Sequence, residues 1–185
     1  VNPLFESAIR LQDFCRQRSW RFTLIGGIAV LRWGEPRLTR DADLELLTGF
    51  GNEKAFIDPL LKTFVPRFDD MRNFALRYRV VLLSDENGTP LDVSLAALPY
   101  EERTIERSSE WRIGDDHFLK TCSPEDLIVH KAFANRDHDW IDIEGIVVRQ
   151  GSSALDWNLI DGEIQELLSP EAVEAVVPRL QKLRG

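Results

Sequence analysis

Gly26-Gly27-Ile28-Ala29-Val30-Leu31-Arg32-Trp33-Gly34, followed by Arg37-Leu38-Thr39-Arg40-Asp41-Ala42-Asp43-Leu44, decides how this chain is read. The residues before it, Arg21-Phe22-Thr23-Leu24-Ile25, read as a short strand that the glycine pair ends. Residues 28–33 make a short helix, stopped by Gly34 and Pro36. Residues 41–47 then alternate Ala42, Leu44 and Leu46 against Asp41, Asp43 and Glu45, the pattern of a half-buried strand. Alternate residues of a strand share a face, so Asp41 and Asp43 stand side by side. Two carboxylates that close call for a cation between them. A glycine turn that admits a phosphate, next to a carboxylate pair that holds a divalent metal, points to phosphoryl or nucleotidyl chemistry.

A third acid strengthens the pattern. In Leu91-Asp92-Val93-Ser94-Leu95 the leucines and valine face one way, and Asp92 and Ser94 the other. An acid inside an otherwise apolar strand is costly unless it is paired or bound to metal. Glu45 lies on the face of Asp43 but further along, where a solvent-facing or salt-bridged role is expected.

The rest of the chain supplies a frame. Asn2-Pro3 caps a helix with Leu4, Ala8, Leu11 and Cys15 at helical spacing. A helix over 52–63 follows the acid strand, and strands over 78–84 and 90–96 flank Asn87-Gly88, a strong hairpin turn. Residues 99–107 read as helix and 111–121 as a small hairpin around Gly114-Asp115-Asp116. From Ser123-Pro124 onward the pattern is helical, over 124–135, 138–149, 156–168 and 170–183. The expected class is α+β, a mixed sheet flanked by helices. Residues 1–122 form a catalytic core, and 123–185 a C-terminal helical region packed on it.

Composition narrows the function classes. No apolar run approaches the ~18–20 residues of a membrane span, and the N-terminus lacks the pattern of a secretory signal. Cys15 and Cys122 have no metal-type spacing and read as reduced thiols of a cytoplasmic protein. The formal charge of −8 disfavours generic nucleic-acid binding. Arginines 10, 16, 18 and 21, and then 72, 77 and 79, form two local clusters that read first as solvated faces. The histidines do not cluster, so no zinc site is indicated. Among five tryptophans, Trp33 and Trp111 are the candidates for a place near a nucleotide base.

With Gly26-Gly27, Asp41, Asp43 and Asp92 in this order and spacing, the chain resembles the nucleotidyltransferase superfamily with the DNA polymerase β-like fold. More narrowly it is similar to the abortive-infection (AbiEii-like) nucleotidyltransferases known as toxins of type IV toxin–antitoxin systems. That similarity rests on Gly26-Gly27-Ile28-Ala29, on Arg37-x-Thr39-x-Asp41-x-Asp43-Leu44, and on Ser123-Pro124-Glu125-Asp126-Leu127 with Lys131, Arg136, Asp139 and Asp142. It spans about residues 20–150; residues 152–185 carry nothing that matches.

The resemblance implies transfer of a nucleoside monophosphate from an NTP to a hydroxyl, releasing pyrophosphate. Asp41, Asp43 and Asp92 would be catalytic and hold two Mg2+ or Mn2+ ions. Gly26, Gly27, Arg37, Thr39 and Lys131 would bind the NTP. Gly27 stands where many relatives carry serine, so one hydroxyl contact is missing. Lys131 falls inside the apolar arc of its helix, where a lysine either reaches out to solvent or points into a negatively charged site; the resemblance favours the second. Asp139 lies on the buried side of the next helix and is placed to pair with Arg136.

Three functions compete on the sequence alone. In the first the acceptor is RNA, such as tRNA, or a protein, and an antitoxin is the partner. In the second it is a small molecule, such as an aminoglycoside or lincosamide, and the acidic surface suits a cationic drug. The third is a non-catalytic nucleotide- or partner-binding module, which would have no use for three clustered carboxylates.

Overall fold

The computed structural model describes residues 2–114 and 116–185. In chain order they form α1 (Pro3–Gln17), β1 (Phe22–Leu24), α2 (Gly26–Trp33), β2 (Ala42–Leu47), α3 (Lys54–Thr63), β3 (Val65–Pro66) and α4 (Met71–Tyr78). Next come β4 (Val80–Ser84), β5 (Pro90–Ala96), α5 (Pro99–Glu106), β6 (Ser109–Arg112), β7 (Phe118–Thr121), α6 (Pro124–Ala134), α7 (Asp137–Gln150), α8 (Trp157–Leu167) and α9 (Pro170–Arg184). Two compact units result, Val1–Ile28 with Leu38–Cys122, and Ala29–Arg37 with Ser123–Gly185.

The first unit holds a seven-stranded mixed sheet in the order β3-β4-β5-β2-β1-β7-β6, as the α+β expectation requires. β2 runs parallel to β5 and antiparallel to β1, and β1 runs parallel to β7. One face is apolar: Leu91, Val93, Leu95, Ala42, Leu44 and Leu46 are all buried there. They join one core with Ala8, Leu11 and Cys15 of α1 and Ile57 and Leu60 of α3. The expected cap of α1 forms, with the Asn2 side chain accepting from the Phe5 N–H at 2.9 Å. The Asn87-Gly88 turn forms as well, with Gly88 at φ +82°.

Two local expectations change. Tyr78 ends α4 rather than opening a strand, because Met71 and Ala75 bury one face of a helix there. Arg79 then turns the chain in the left-handed conformation at φ +56°, and β4 begins at Val80. β6 and β7 form the late hairpin, but its proposed centre includes Asp115, which lies outside the described residues.

The second unit is helical. Ser123 and Ser169 cap α6 and α9 through their side chains, and Asp156 caps α8. Ile128, Ile143, Ile146, Ile160 and Ile164 are fully buried. Gly34 and Gly145 let the 34–35 segment lie against α7: a Cβ at Gly145 would sit 3.2 Å from the Glu35 nitrogen. No helix among the described residues is long and apolar enough to cross a membrane.

Candidate active site

The parallel register of β2 and β5 sets Asp43 directly beside Asp92, with Glu45 beside Ser94. Neighbouring strands lie about 4.8 Å apart, so the two aspartates share one patch of the sheet's polar face. Asp41 lies just before β2 and is half-buried, as Asp43 and Asp92 are. Burial pushes the Asp92 carboxyl above its usual range and the charge of Asp41 adds to that, while Arg67 opposes it.

The glycine pair is seated directly on these acids. Gly26 adopts φ +57°, and a Cβ there would fall 2.0 Å from Asp43 Oδ2. The Ile25 N–H donates to the Asp43 carbonyl at 3.0 Å, which fixes the turn against β2. A Cβ at Gly27 would fall 2.0 Å from Thr39 Oγ1, and that hydroxyl donates to Asp41 Oδ1 at 3.3 Å. The Thr39 hydroxyl thus fills the space that a serine side chain at position 27 would enter.

Two features of the site were not legible in the sequence. Arg67, just after β3, forms an ion pair with Asp92. Its backbone N–H bonds the Leu82 carbonyl, and Leu82 is the register partner of Asp92. Arg67, Leu82, Asp92 and Asp43 therefore lie in one row across four segments. Glu45 is the second: it is 2% exposed rather than solvent-facing, between its register partners Thr23 and Ser94.

The donor chemistry suits a hard divalent cation, since every candidate ligand is a carboxylate. As placed, Arg67 engages Asp92, and no three His, Cys, Asp or Glu among the described residues gather into a metal-holding group.

In the second unit, Lys131 and Arg37 belong to one ion network. Lys131 Nζ lies 3.0 Å from Asp139 Oδ1 and 2.8 Å from Asp142 Oδ2. Arg37 grips Asp142 with two hydrogen bonds, at 2.7 and 2.9 Å. Arg136 holds Asp139 at 2.7 Å, the pairing expected from the sequence. Burial pushes both aspartates up, but the bonds from these cations outweigh it and hold them below the usual carboxylate range.

The first arginine cluster is largely spoken for: Arg10, Arg16 and Arg21 pair with acids, and Arg18 lies 3.6 Å over the Phe14 ring. Trp111 packs edge-on against Phe5, and Trp33 lies under Arg32.

A glycine turn on a sheet strand beside paired carboxylates defines a nucleotidyltransferase-type fold, and solved structures share it. The chain is similar to an antigenic nucleotidyltransferase-like protein from Paracoccidioides brasiliensis, at 18% identity and a TM-score of 0.54, over 98% of this chain and 91% of that one. It is also similar to the lincosamide antibiotic adenylyltransferase LnuA in its lincomycin-bound form, at 18% identity and 0.51, over 78% and 98%. The antibiotic-resistance factor ANT(2'')-Ia matches at 14% and 0.54, over 95% and 96%. No curated protein matches the sequence.

The family itself is defined by sequence. Residues 14–156 match the model of the nucleotidyl transferase AbiEii toxin of type IV toxin–antitoxin systems, and the chain belongs to that family of nucleotidyltransferases.

Proposed function

We propose that this chain moves a nucleoside monophosphate from an NTP to a hydroxyl of RNA, such as a tRNA end, and acts as the toxin of a pair with an antitoxin partner in the cytoplasm. The observation that carries the reading is the Asp43–Asp92 register directly beside Gly26. Asp41, Asp43 and Asp92 are the residues that would hold divalent metal, two Mg2+ or Mn2+ ions. Bound there, the metal supplies positive charge to the phosphates and acidifies the acceptor hydroxyl.

The chain's own groups have distinct tasks. Backbone N–H groups at Gly26 and Gly27, at the start of α2, would face phosphate oxygens, and the Thr39 hydroxyl would join them by turning from Asp41 to the phosphate. Asp92 takes the proton of the acceptor hydroxyl. The acceptor oxygen bonds to the α-phosphorus as the bond to the β-phosphate oxygen breaks, and pyrophosphate leaves. In the second unit, Arg37 and Lys131 hold Asp142.

A small-molecule acceptor is the second reading. The net charge of −8 favours a cationic drug, and one structural relative is a lincosamide antibiotic adenylyltransferase. The test is incubation with each α-labelled NTP and Mg2+ against total tRNA, total protein, and an aminoglycoside and lincosamide panel. Label is expected on RNA with the wild type and nowhere with Asp43→Ala. Label moving to a drug instead would overturn the RNA acceptor, and no MgNTP binding at all would overturn the enzymatic reading.

A further inference from the structure

The acid row does not end the useful surface of its sheet face. Val80 and Ser94 are register partners, and each lies two residues along its strand from the Leu82–Asp92 pair. That spacing is about 6–7 Å on the same face. There a cavity of about 320 Å³ opens, lined by Phe50, Tyr78, Arg79, Val80, Ser94 and Leu98. Its rim is aromatic and open: Phe50 is 69% exposed and Tyr78 56%.

Tyr78 is also the end of a ladder. The Phe74 and Tyr78 rings lie 4.7 Å apart, and Phe68, 42% exposed, meets Phe74 at 5.1 Å. Exposed aromatic surface of this extent, beside a site, marks a place where something binds.

Charge decides what. Residues 62–79 carry five cations against two acids; Arg67, Arg72 and Arg79 are paired with Asp92, Asp58 and Glu53, so Arg77 is the cation this segment sets beside the rings for a phosphate. The Arg77 guanidinium lies 5.3 Å from the Tyr78 ring centre and that of Arg79 4.7 Å from the Phe50 ring. Arg79 is anchored by the carbonyls of Leu95 and Gly49 and by Glu53, so it holds Phe50 in place. The carboxylate on the cavity wall, Glu101, is committed through Oε2 to the backbone N–H groups of Ala97 and Leu98. A polyamine drug would find little to pair with here. Phe68 and Phe74 meet edge-on at 89° and Phe74 and Tyr78 are tilted by 44°, and exposed rings with an arginine beside them are what unpaired bases and their phosphates require.

We propose that the Phe68–Phe74–Tyr78 ladder and Phe50 form a stacking platform for the single-stranded end of an RNA acceptor. The platform presents that end to Asp92 along the sheet face. This rests on the nucleotidyltransferase reading of the Asp43–Asp92 site.

The test is fluorescence anisotropy with a labelled single-stranded RNA 12-mer at low salt, alongside calorimetry of MgATP binding. Base stacking contributes about 1–3 kcal/mol per base, so Tyr78→Ala and Phe50→Ser should each weaken RNA binding about 5- to 150-fold. Tyr78→Trp should keep it. MgATP affinity should stay within about twofold, because neither ring belongs to the phosphate site. Arg77→Glu should weaken RNA binding and flatten its salt dependence.

Wild-type RNA affinity in Tyr78→Ala and Phe50→Ser would overturn the platform, as would a wild type that binds no RNA. A wild-type dimer that Tyr78→Ala converts to monomer would also overturn it, since a second copy would then cover the rings. Failure of the wild type to bind any of the four MgNTPs would refute the nucleotidyltransferase reading instead, and the RNA titration scores the platform separately.

Discussion

Gly26→Ala is the sharpest probe of how the glycine turn and the acid strand fit together. Its cost has two parts. At φ +57° an alanine is strained by about 1–2 kcal/mol relative to glycine. The new methyl would also fall 2.0, 2.6 and 2.9 Å from Oδ2, Cγ and Cβ of Asp43. Turning the Asp43 side chain relieves the first two contacts but not the third, because Cβ moves only with the β2 backbone. Overpacking of this kind costs about 1–3 kcal/mol. The total, about 2–5 kcal/mol, corresponds to a loss of about 4–20 °C in Tm for a chain of this size. Gly88→Ala isolates the backbone part: Gly88 has φ +82°, but nothing lies within 4 Å of the place its methyl would take. It should lose only about 2–8 °C. Thermal melts followed by circular dichroism, with MgATP titration of each variant, complete the comparison. Gly26→Ala should lose MgATP binding and Gly88→Ala should keep it. Equal melting of the two variants, with MgATP binding intact in both, would refute the contact.

Gly27→Ser should destabilise the fold, because Thr39 Oγ1 occupies the needed space; adding Thr39→Ala should restore the stability, and a purely additive double mutant in thermal melts would contradict the shared space. Lys131→Met should cost about 3 kcal/mol by loosening two buried carboxylates. Asp139 and Asp142 are held below their ordinary values, so their contribution is present above the ordinary carboxylate range and is lost as pH falls through the depressed folded values. The acid-unfolding midpoint of Lys131→Met should therefore move to higher pH, and an unmoved midpoint would deny the network its structural role. Burial pushes the Cys15 thiol up to about 12, and Cys122 is fully buried, so Ellman's reagent at pH 8 should label neither thiol in the native protein and both in guanidinium. Rapid native labelling would contradict the packing of that core.

What the sequence disclosed, it disclosed through local rules. The strand of Asp92 was legible because Leu91, Val93 and Leu95 alternate with Asp92 and Ser94 and an Asn-Gly turn precedes them. Three helix starts were legible because Asn2, Ser123 and Ser169 each stand before a proline. The acid pair and the glycine turn were legible because their spacing is short and their residue types are chemically restrictive. Residues 78–84 misled for a local reason too: Tyr78 and Arg79 have no strong helix signal, and only the burial of Met71 and Ala75 carries the helix to Tyr78.

Arg67 and Glu45 stayed hidden because strand order is not a local property. Arg67 meets Asp92 only because β4 lies between β3 and β5 in the sheet, which brings residues 25 positions apart into one row. Glu45 looked solvent-facing because alternation assigns a face without saying what covers that face. The same ordering accounts for the aromatic platform. Phe50, Tyr78 and Ser94 are scattered in sequence and meet where the ends of β2, α4 and β5 converge. Arginines 72, 77 and 79 look like one basic cluster in the sequence, yet the fold gives them different work. Arg72 is tied to Asp58 and Arg79 to Glu53, whereas Arg77 lies over Tyr78. On the proposed platform, Arg77 is therefore the cation that would meet the phosphates of an RNA acceptor.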